Sequence, residues 1–356
     1  MDASPPVDTL NEEESTTRRD PPEGLTRARR GHVGRFVLVL ALVLVVAVLT
    51  LYGWPLRSDE LQRAVPETLS FAAASERATR TVSADAADPE VRPDCRSQFL
   101  SHGSTSAKAV LLLHGYTGCP TQYRALAKLF FDRGYNVWVP RAPRHGFTDR
   151  SANAKLDAVE LVDYANDALN VAAGLGDSVG VVGVSGGAVL ATWLVGHRPD
   201  AVHRAVLLSP LYKPGSAQVP GPAVKPLVVL VGSHLVPARA NSDGVSIAGL
   251  SQYLRVVGNF ATDPRSPHLR ELAVVTSEND EFIDRQAAVD IPRDIAERND
   301  TAFSAHELPR ELGVGHDIVD PNGLRASTDD VNRYYLDLYE GVERPDGRKS
   351  LSRPLT

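Results

Sequence analysis

The pattern of apolar and polar positions divides the chain into regimes. Residues 1–34 show no apolar period and are rich in Pro, Glu, Thr and Arg, a composition with too little apolar surface to fold and so expected to be a disordered tail. Residues 36–52, FVLVLALVLVVAVLTLY, form an apolar run with no charge. As a helix it spans about 25 Å, the short end of what crosses a bilayer, and without a polar face it makes a poor core helix. Residues 55–92 turn Ala-, Ser-, Thr- and Asp-rich and predict a stalk or linker with room for one short helix. From residue 93 to about 345 the rhythm is strand and helix in alternation. AVLLLHG (109–115), YNVWVPR (135–141), VGVVGVS (179–185), AVLLSP (205–210), LAVVTSEND (272–280) and TAFSAHELP (301–309) read as strands. Segments such as TQYRALAKLFFDRG, with Leu126, Leu129 and Phe130 on one face, read as helices. Near-continuous Val/Leu strands with helices between them predict an α/β fold: a mostly parallel sheet covered on both faces. The proline-rich stretch from 211 to about 268 breaks the rhythm and is far longer than an ordinary connection, so a cap-like insert is expected there. Residues 346–356 read as a C-terminal tail.

Charge orients the apolar run. Arg18, Arg19, Arg27, Arg29, Arg30 and Arg35 precede it, and only Arg57 and Arg63 closely follow. That asymmetry predicts a cytoplasmic N-terminus and an extracytoplasmic remainder, with Tyr52 and Trp54 at the level of an interfacial aromatic belt. The long stretch before the run and the lack of a small-x-small site after it argue against a cleaved signal peptide. Residues 35–54 are therefore expected to be a single transmembrane signal anchor in the cell membrane. A net charge of −6 over 356 residues gives no basic field for nucleic acid. The two cysteines, Cys95 and Cys119, are too few for a disulfide scaffold and too far apart for a CxxC motif. Outward orientation places both in an oxidising compartment, where a Cys95–Cys119 bridge can persist; it would tie the start of the domain to the loop that follows HGYTG.

The chemistry centres on GVSGG (183–187). A Gly-x-Ser-x-Gly recurs by chance too often to decide anything alone, but here a strand precedes it and a helical stretch follows. Strand, sharp turn and helix make a nucleophile elbow, with Ser185 at the tip. Bulk two residues before or after the serine would clash with the neighbouring strand or helix, and the helix starting at Gly186 aims its N-terminal N–H groups at any anion forming beside Ser185. An acid and a base should follow in that order. The strand LAVVTSEND ends in Glu278, Asn279 and Asp280, with Glu281 and Asp284 as alternative acids; the later loop GVGHDIVD carries His316. His306 lies inside a strand and reads as a packing or surface histidine. HGYTG (114–118) supplies a turn whose Tyr116 N–H, with that of Gly186, could hold an oxyanion; His114 reads as structural. The residues call for no metal and no organic cofactor.

Together HGYTG, PRAPRHG, GVSGG, TSENDEFID and GVGHDIVD resemble the α/β-hydrolase superfamily, especially bacterial carboxylesterases and monoacylglycerol-lipase-like or serine-aminopeptidase-like hydrolases. The resemblance covers roughly residues 95–340. It implies Ser185 as nucleophile, Asp280 as acid, His316 as base, Tyr116 and Gly186 as oxyanion donors, and His145 as a fold landmark. Gly186 stands where many relatives carry a larger residue, which implies a looser pocket. The function it implies is a membrane-anchored serine esterase acting on small-molecule or lipid carboxylic esters. Lipase or lysophospholipase, peptidase and thioesterase activities would use the same three residues, and a non-catalytic binding protein of the same fold is the alternative from another class.

Overall fold

The structure is a computed structural model that describes residues 23–237, 246–342 and 353–354, with side chains from residue 34 to 342 within those spans. Two units separate, Met1–Gly53 and Trp54–Thr356. The first contains helix α1 (Glu23–Gly53). Its Gly34–Gly53 portion is long and apolar enough to cross a membrane, and its side chains, such as Phe36, Leu40 and Leu44, are exposed. The helix begins at Glu23, so residues 23–34, expected to be disordered, are helical. Extending an existing helix costs far less than nucleating one, and the apolar run supplies the nucleus. The rest of the expected N-terminal tail (1–22), and nearly all of the C-terminal one, lie outside the described residues.

The second unit opens with α2 (Asp59–Gln62) and α3 (Phe71–Ala87), then alternates. β1 (Gln98–Leu100), β2 (Ser106–Leu113), α4 (Arg124–Asp132) and β3 (Asn136–Val139) come first. α5 (Ala158–Gly174), β4 (Gly176–Val184), α6 (Gly186–His197) and β5 (Val202–Leu208) form the middle. The insert after β5 contains α7 (Gly221–Leu230) and α8 (Ile247–Val257), with 238–245 outside the described residues. β6 (Glu271–Ser277), α9 (Arg285–Asn299), β7 (Ala302–Leu308), α10 (Pro321–Leu324), α11 (Thr328–Glu340) and the two-residue β8 (Arg353–Pro354) complete it.

The strands form one sheet in the order β1-β3-β2-β4-β5-β6-β7-β8. β2 to β7 are parallel, and β1 and β8 run antiparallel at the edges. Successive strand side chains point to opposite faces. Leu111, Leu113, Val181 and Leu207 pack into a core on one face, and Val110, Leu112, Val182 and Val206 into a core on the other. Burial on both faces is why the strands read as near-continuous Val/Leu runs. The register sets the site: Leu113 of β2 pairs with Gly183, and Leu208 of β5 with Val184, so the strands flanking β4 end beside Ser185.

The segment expected to be a stalk is part of this domain. Leu61 is fully buried, and its carbonyl accepts the indole N–H of Trp193 at 2.7 Å. Asn166 and Asn170 on α5 clasp the backbone of Val65 and Glu67, and their Oδ1 atoms accept from the buried Arg198 guanidinium at 3.0 and 2.7 Å. Asp85 on α3 forms a buried ion pair with Arg141 at 2.7 Å. The alanine-rich sequence looked like a linker because it has few large apolar residues, yet Ala74 and Ala78 are fully buried. Small side chains pack by close approach, which a polar-looking composition hides.

Removing this segment should therefore cost stability as well as length. A fragment beginning at Trp54 should unfold cooperatively. One beginning at Pro93 would leave Asn166 and Asn170, the partners of the buried Arg198, without the Val65 and Glu67 backbone and should melt about 10 °C lower or aggregate. Leu61→Ala in the longer fragment should cost roughly 2–5 kcal/mol. Equal melting temperatures for the two fragments, by calorimetry, would show that the segment is not part of the folding unit.

Candidate active site

The turn between β4 and α6 puts Ser185 at φ 54°, ψ −115°, a backbone state that a residue with a side chain rarely adopts. Its N–H donates to Leu208 O at 2.8 Å, and its carbonyl accepts from Ala188 and Val189. A Cβ on Gly183 would lie 2.3 Å from Gly187 O, and one on Gly187 would lie 1.9 Å from Leu113 O. The turn closes only with hydrogen at both positions.

His316, in the loop between β7 and α10, reaches back to this turn. Its Nε2 lies 2.8 Å from Ser185 Oγ, and its Nδ1 lies 2.8 Å from Asp280 Oδ2. A carboxylate oxygen accepts, so Nδ1 carries the hydrogen and Nε2 is left to accept from the serine hydroxyl. Asp280, just beyond β6, is 3% exposed, and its Oδ1 accepts the Phe282 N–H at 2.9 Å. The Phe282 ring lies 4.8 Å from the imidazole. The alternative acids sit elsewhere. Asp284 caps the N-terminus of α9 and pairs with Lys213 at 2.6 Å, which hold its carboxyl below the usual range; Glu281 is exposed. His306 is half-buried on β7 against Tyr334, away from the serine.

Gly186 begins α6, so its N–H is one of the donors without an intrahelical partner. The His114–Gly118 loop passes over the serine: a Cβ on Gly115 would come within 3.4 Å of Ser185 Cβ. Tyr116 follows directly. Its hydroxyl donates to Ser246 O at 2.7 Å and accepts the Ser246 N–H at 3.2 Å, where α8 begins.

A family model described as the alpha/beta hydrolase fold matches residues 108–230, from β2 through α7. The chain has the α/β-hydrolase fold. It is 34% identical over 93 residues to a thermostable monoacylglycerol lipase of Bacillus sp. (strain H-257), a match that covers 26% of this chain and 36% of that protein. Only about a third of the curated relative's length is thus matched. Among solved structures, a member of the metagenome-derived lipolytic pair LipS and LipT superposes with a TM-score of 0.53 at 18% identity, covering 70% of this chain and 99% of the other. The monoacylglycerol lipase of Paleococcus ferrophilus superposes with a TM-score of 0.50 at 16% identity, covering 69% and 98%. At such identities the likeness is one of fold.

Within this α/β-hydrolase fold, several site residues carry no sequence signal. Gln122 Oε1 accepts the Gly115 N–H at 3.0 Å, and its Nε2 donates to Asp317 Oδ2 at 3.1 Å. It thereby links the loop over the serine to the residue beside His316. The partners are 195 positions apart in the chain, and nothing local marks the pair. The looser pocket expected at Gly186 is absent, because a Cβ there would lie 2.7 Å from the ring of Tyr253 on α8; that ring fills the space. Cys95 and Cys119 are joined by a disulfide, as expected, and it anchors the chain directly after Gly118.

His114 and His145 form a buried layer beneath the loop. His114 Nε2 accepts the Ala142 N–H at 2.9 Å, so its Nδ1 carries the hydrogen and donates to Gly115 O at 2.9 Å. His145 Nδ1 donates to Pro143 O at 2.6 Å, leaving Nε2 to accept from the Tyr253 hydroxyl at 3.3 Å. Burial, with help from His145 and Arg141, lowers the pKa of His114 to about 3, and burial lowers that of His145 to about 4.

Both depressed values predict acid lability. Above the ordinary histidine value of about 6.5 both rings are neutral whether folded or not, and the stability is intact. Below it the unfolded chain takes up protons that the folded chain refuses. Stability should fall by about 1.4 kcal/mol per pH unit for each ring, until the folded values are passed. Denaturant titrations from pH 7 to pH 4 should show this slope. The double variant His114→Gln/His145→Gln should be less stable at pH 7 but flatter with pH; an unchanged slope would remove these rings as its cause.

Proposed function

We propose that the protein is a membrane-anchored serine hydrolase that cleaves carboxylic esters through an acyl-enzyme. The observation carrying this reading is the chain of two 2.8 Å hydrogen bonds from Ser185 through His316 to Asp280. A serine hydroxyl is a poor nucleophile until a base removes its proton as it attacks. His316 Nε2 is at bonding distance to do so, while Asp280 fixes the tautomer and stabilises the imidazolium without taking the proton. The Gly186 N–H at the start of α6 and the Tyr116 N–H are the donors for the tetrahedral oxyanion; losing one such donor typically costs about 3–4 kcal/mol of barrier. His316 then protonates the leaving alcohol, and water resolves the acyl-enzyme by the same route. Esters are preferred over amides in this reading because the relatives named above are lipolytic.

Residues 34–53 serve in this reading as the anchor, with Arg18 to Arg35 holding the N-terminus in the cytoplasm. The Cys95–Cys119 disulfide fits an outward-facing catalytic domain. The insert at 211–268 is read as a cap that sets acyl-chain preference. α8 supports that role, since Ser246 holds Tyr116 and Tyr253 packs on Gly186.

A fluorophosphonate probe should label the Trp54–Thr356 fragment and leave Ser185→Ala unlabelled; equal labelling of both would refute the nucleophile. Asp280→Asn should lower kcat for a 4-nitrophenyl ester by on the order of 10⁴, with Asp284→Asn costing stability more than rate. The reverse ranking would reassign the acid. Replacing residues 217–237 by a short linker should shift the preferred acyl length while probe labelling persists, and an unchanged chain-length profile would remove the cap from specificity.

A further inference from the structure

The direction of the Tyr116 N–H is set by the peptide it shares with Gly115, because a peptide unit is planar and its C=O and N–H point opposite ways. That carbonyl accepts from two donors, His114 Nδ1 at 2.9 Å and the Gly118 N–H at 3.1 Å. The preceding peptide is held by Gln122, whose Oε1 accepts the Gly115 N–H at 3.0 Å. The loop lies so close on this amide that a Cβ on Gly118 would come 1.9 Å from Oε1. Gln122 itself rests on a fixed base. It belongs to the short 3-10 turn Pro120–Tyr123, and its own N–H donates to Cys119 O at 3.0 Å. The Tyr123 hydroxyl donates to Leu113 O at 3.0 Å, at the end of β2.

The other end of the same amide reaches the loop that carries His316. Gln122 Nε2 donates to Asp317 Oδ2 at 3.1 Å, and Asp317 Oδ1 accepts the Asp320 N–H at 3.2 Å. Asp317 adjoins His316 in the chain. On the other side of His316, Val314 O accepts the Ser277 hydroxyl. The histidine is therefore suspended between two fixed points, and Gln122 holds one of them. Chemistry fixes the orientation of the amide, since the Gly115 N–H needs an acceptor and the Asp317 carboxylate needs a donor. Gln122 is only 5% exposed, so water offers little replacement for either bond. A carboxylate or an apolar side chain at that position could not satisfy both.

We propose that Gln122 is a positioning residue that couples the oxyanion donor to the general base: one amide sets the Gly115–Tyr116 loop and the His316 loop in a common frame. The proposal rests on Ser185, His316 and the Tyr116 N–H acting as described above. Base and donor must both be placed against one reacting carbonyl, and a misplacement of about 1 Å can cost on the order of 10²-fold in rate. Gln122 acts through its partners and not on substrate, so its loss falls on kcat rather than on KM.

The test reads kcat and KM for 4-nitrophenyl butyrate with the whole chain in detergent micelles, well below the melting temperature of every variant. Gln122→Ala should lower kcat by roughly 10- to 100-fold, with KM changed by less than about threefold. Gln122→Glu should lower it at least as far, because the new carboxylate would face that of Asp317. Adding Asp317→Asn reverses donor and acceptor in that bond: the new carboxylate still accepts the Gly115 N–H and now accepts from the new amide as well. The pair Gln122→Glu/Asp317→Asn should therefore recover most of kcat, a gain that two independent losses would not produce. Should Gln122→Ala fail to fold, the pair and its two single variants carry the comparison. Hydrogen exchange adds an arm that needs no turnover. Gln122→Glu should speed exchange in peptides covering 114–118 and 313–318 together, and the pair should slow both again. Faster exchange in one loop only, or a folded Gln122→Ala with wild-type kcat, would overturn the coupling. If the wild type neither cleaves esters nor is labelled at Ser185 while both loops still loosen together, the hydrolase reading fails and the coupling stands.

Discussion

A serine held at positive φ between a strand and a helix leaves no room for side chains around it, and this constraint organises the domain. Gly183 and Gly187 let the turn close against Leu113, so β2 must lie beside β4 and end at the same level. β5 does so on the other side, where Leu208 accepts the Ser185 N–H. A strained turn persists only where its surroundings over-determine it. Six parallel strands, the central ones buried on both faces, supply that rigidity. The loops after β6 and β7 then need only modest length to bring Asp280 and His316 to the same sheet edge, where ligands of open α/β sheets bind.

Loops are held here by long-range ties as well as by packing such as that of Tyr116 on Tyr253. The loop over the serine is tied through Gln122 to Asp317, through Tyr116 to Ser246, and through the disulfide to the start of the domain. Each tie removes freedom from a segment that has no ladder of its own. In the proposed mechanism the Tyr116 N–H is an oxyanion donor, and donors held in place act on charge as it develops without reorganising at that moment. Packed against the same loop are His114 and His145, kept neutral by burial.

The N-terminal segment of the domain extends the bracing. From Leu61 to Asp85 it lies on α5, α6 and the Arg141 loop. Its first ties are at Leu56 to Ser58, whose backbone is held by Asn259 at the end of α8, while Arg57 donates to Phe260 O. The same helix carries Tyr253 against the elbow.

Much of this is legible in the chain. Strand–turn–helix context singles out Ser185 because the turn's steric demand is local, and the order acid then base follows from strand order, so Asp280 and His316 could be named before any coordinates. Parallel-sheet architecture is legible because burial on both faces removes alternation from the strands. What Asp284 does instead needed the fold, since only there does it cap α9 and pair with Lys213. The same holds for Tyr253 filling the space at Gly186, for Gln122 meeting Asp317, and for an alanine-rich stretch that looked like a linker yet is clasped by Asn166 and Asn170. A residue pattern records whether a position is buried and how tightly the local backbone must turn. It does not record which distant surface does the burying, and that surface is what tertiary structure decided.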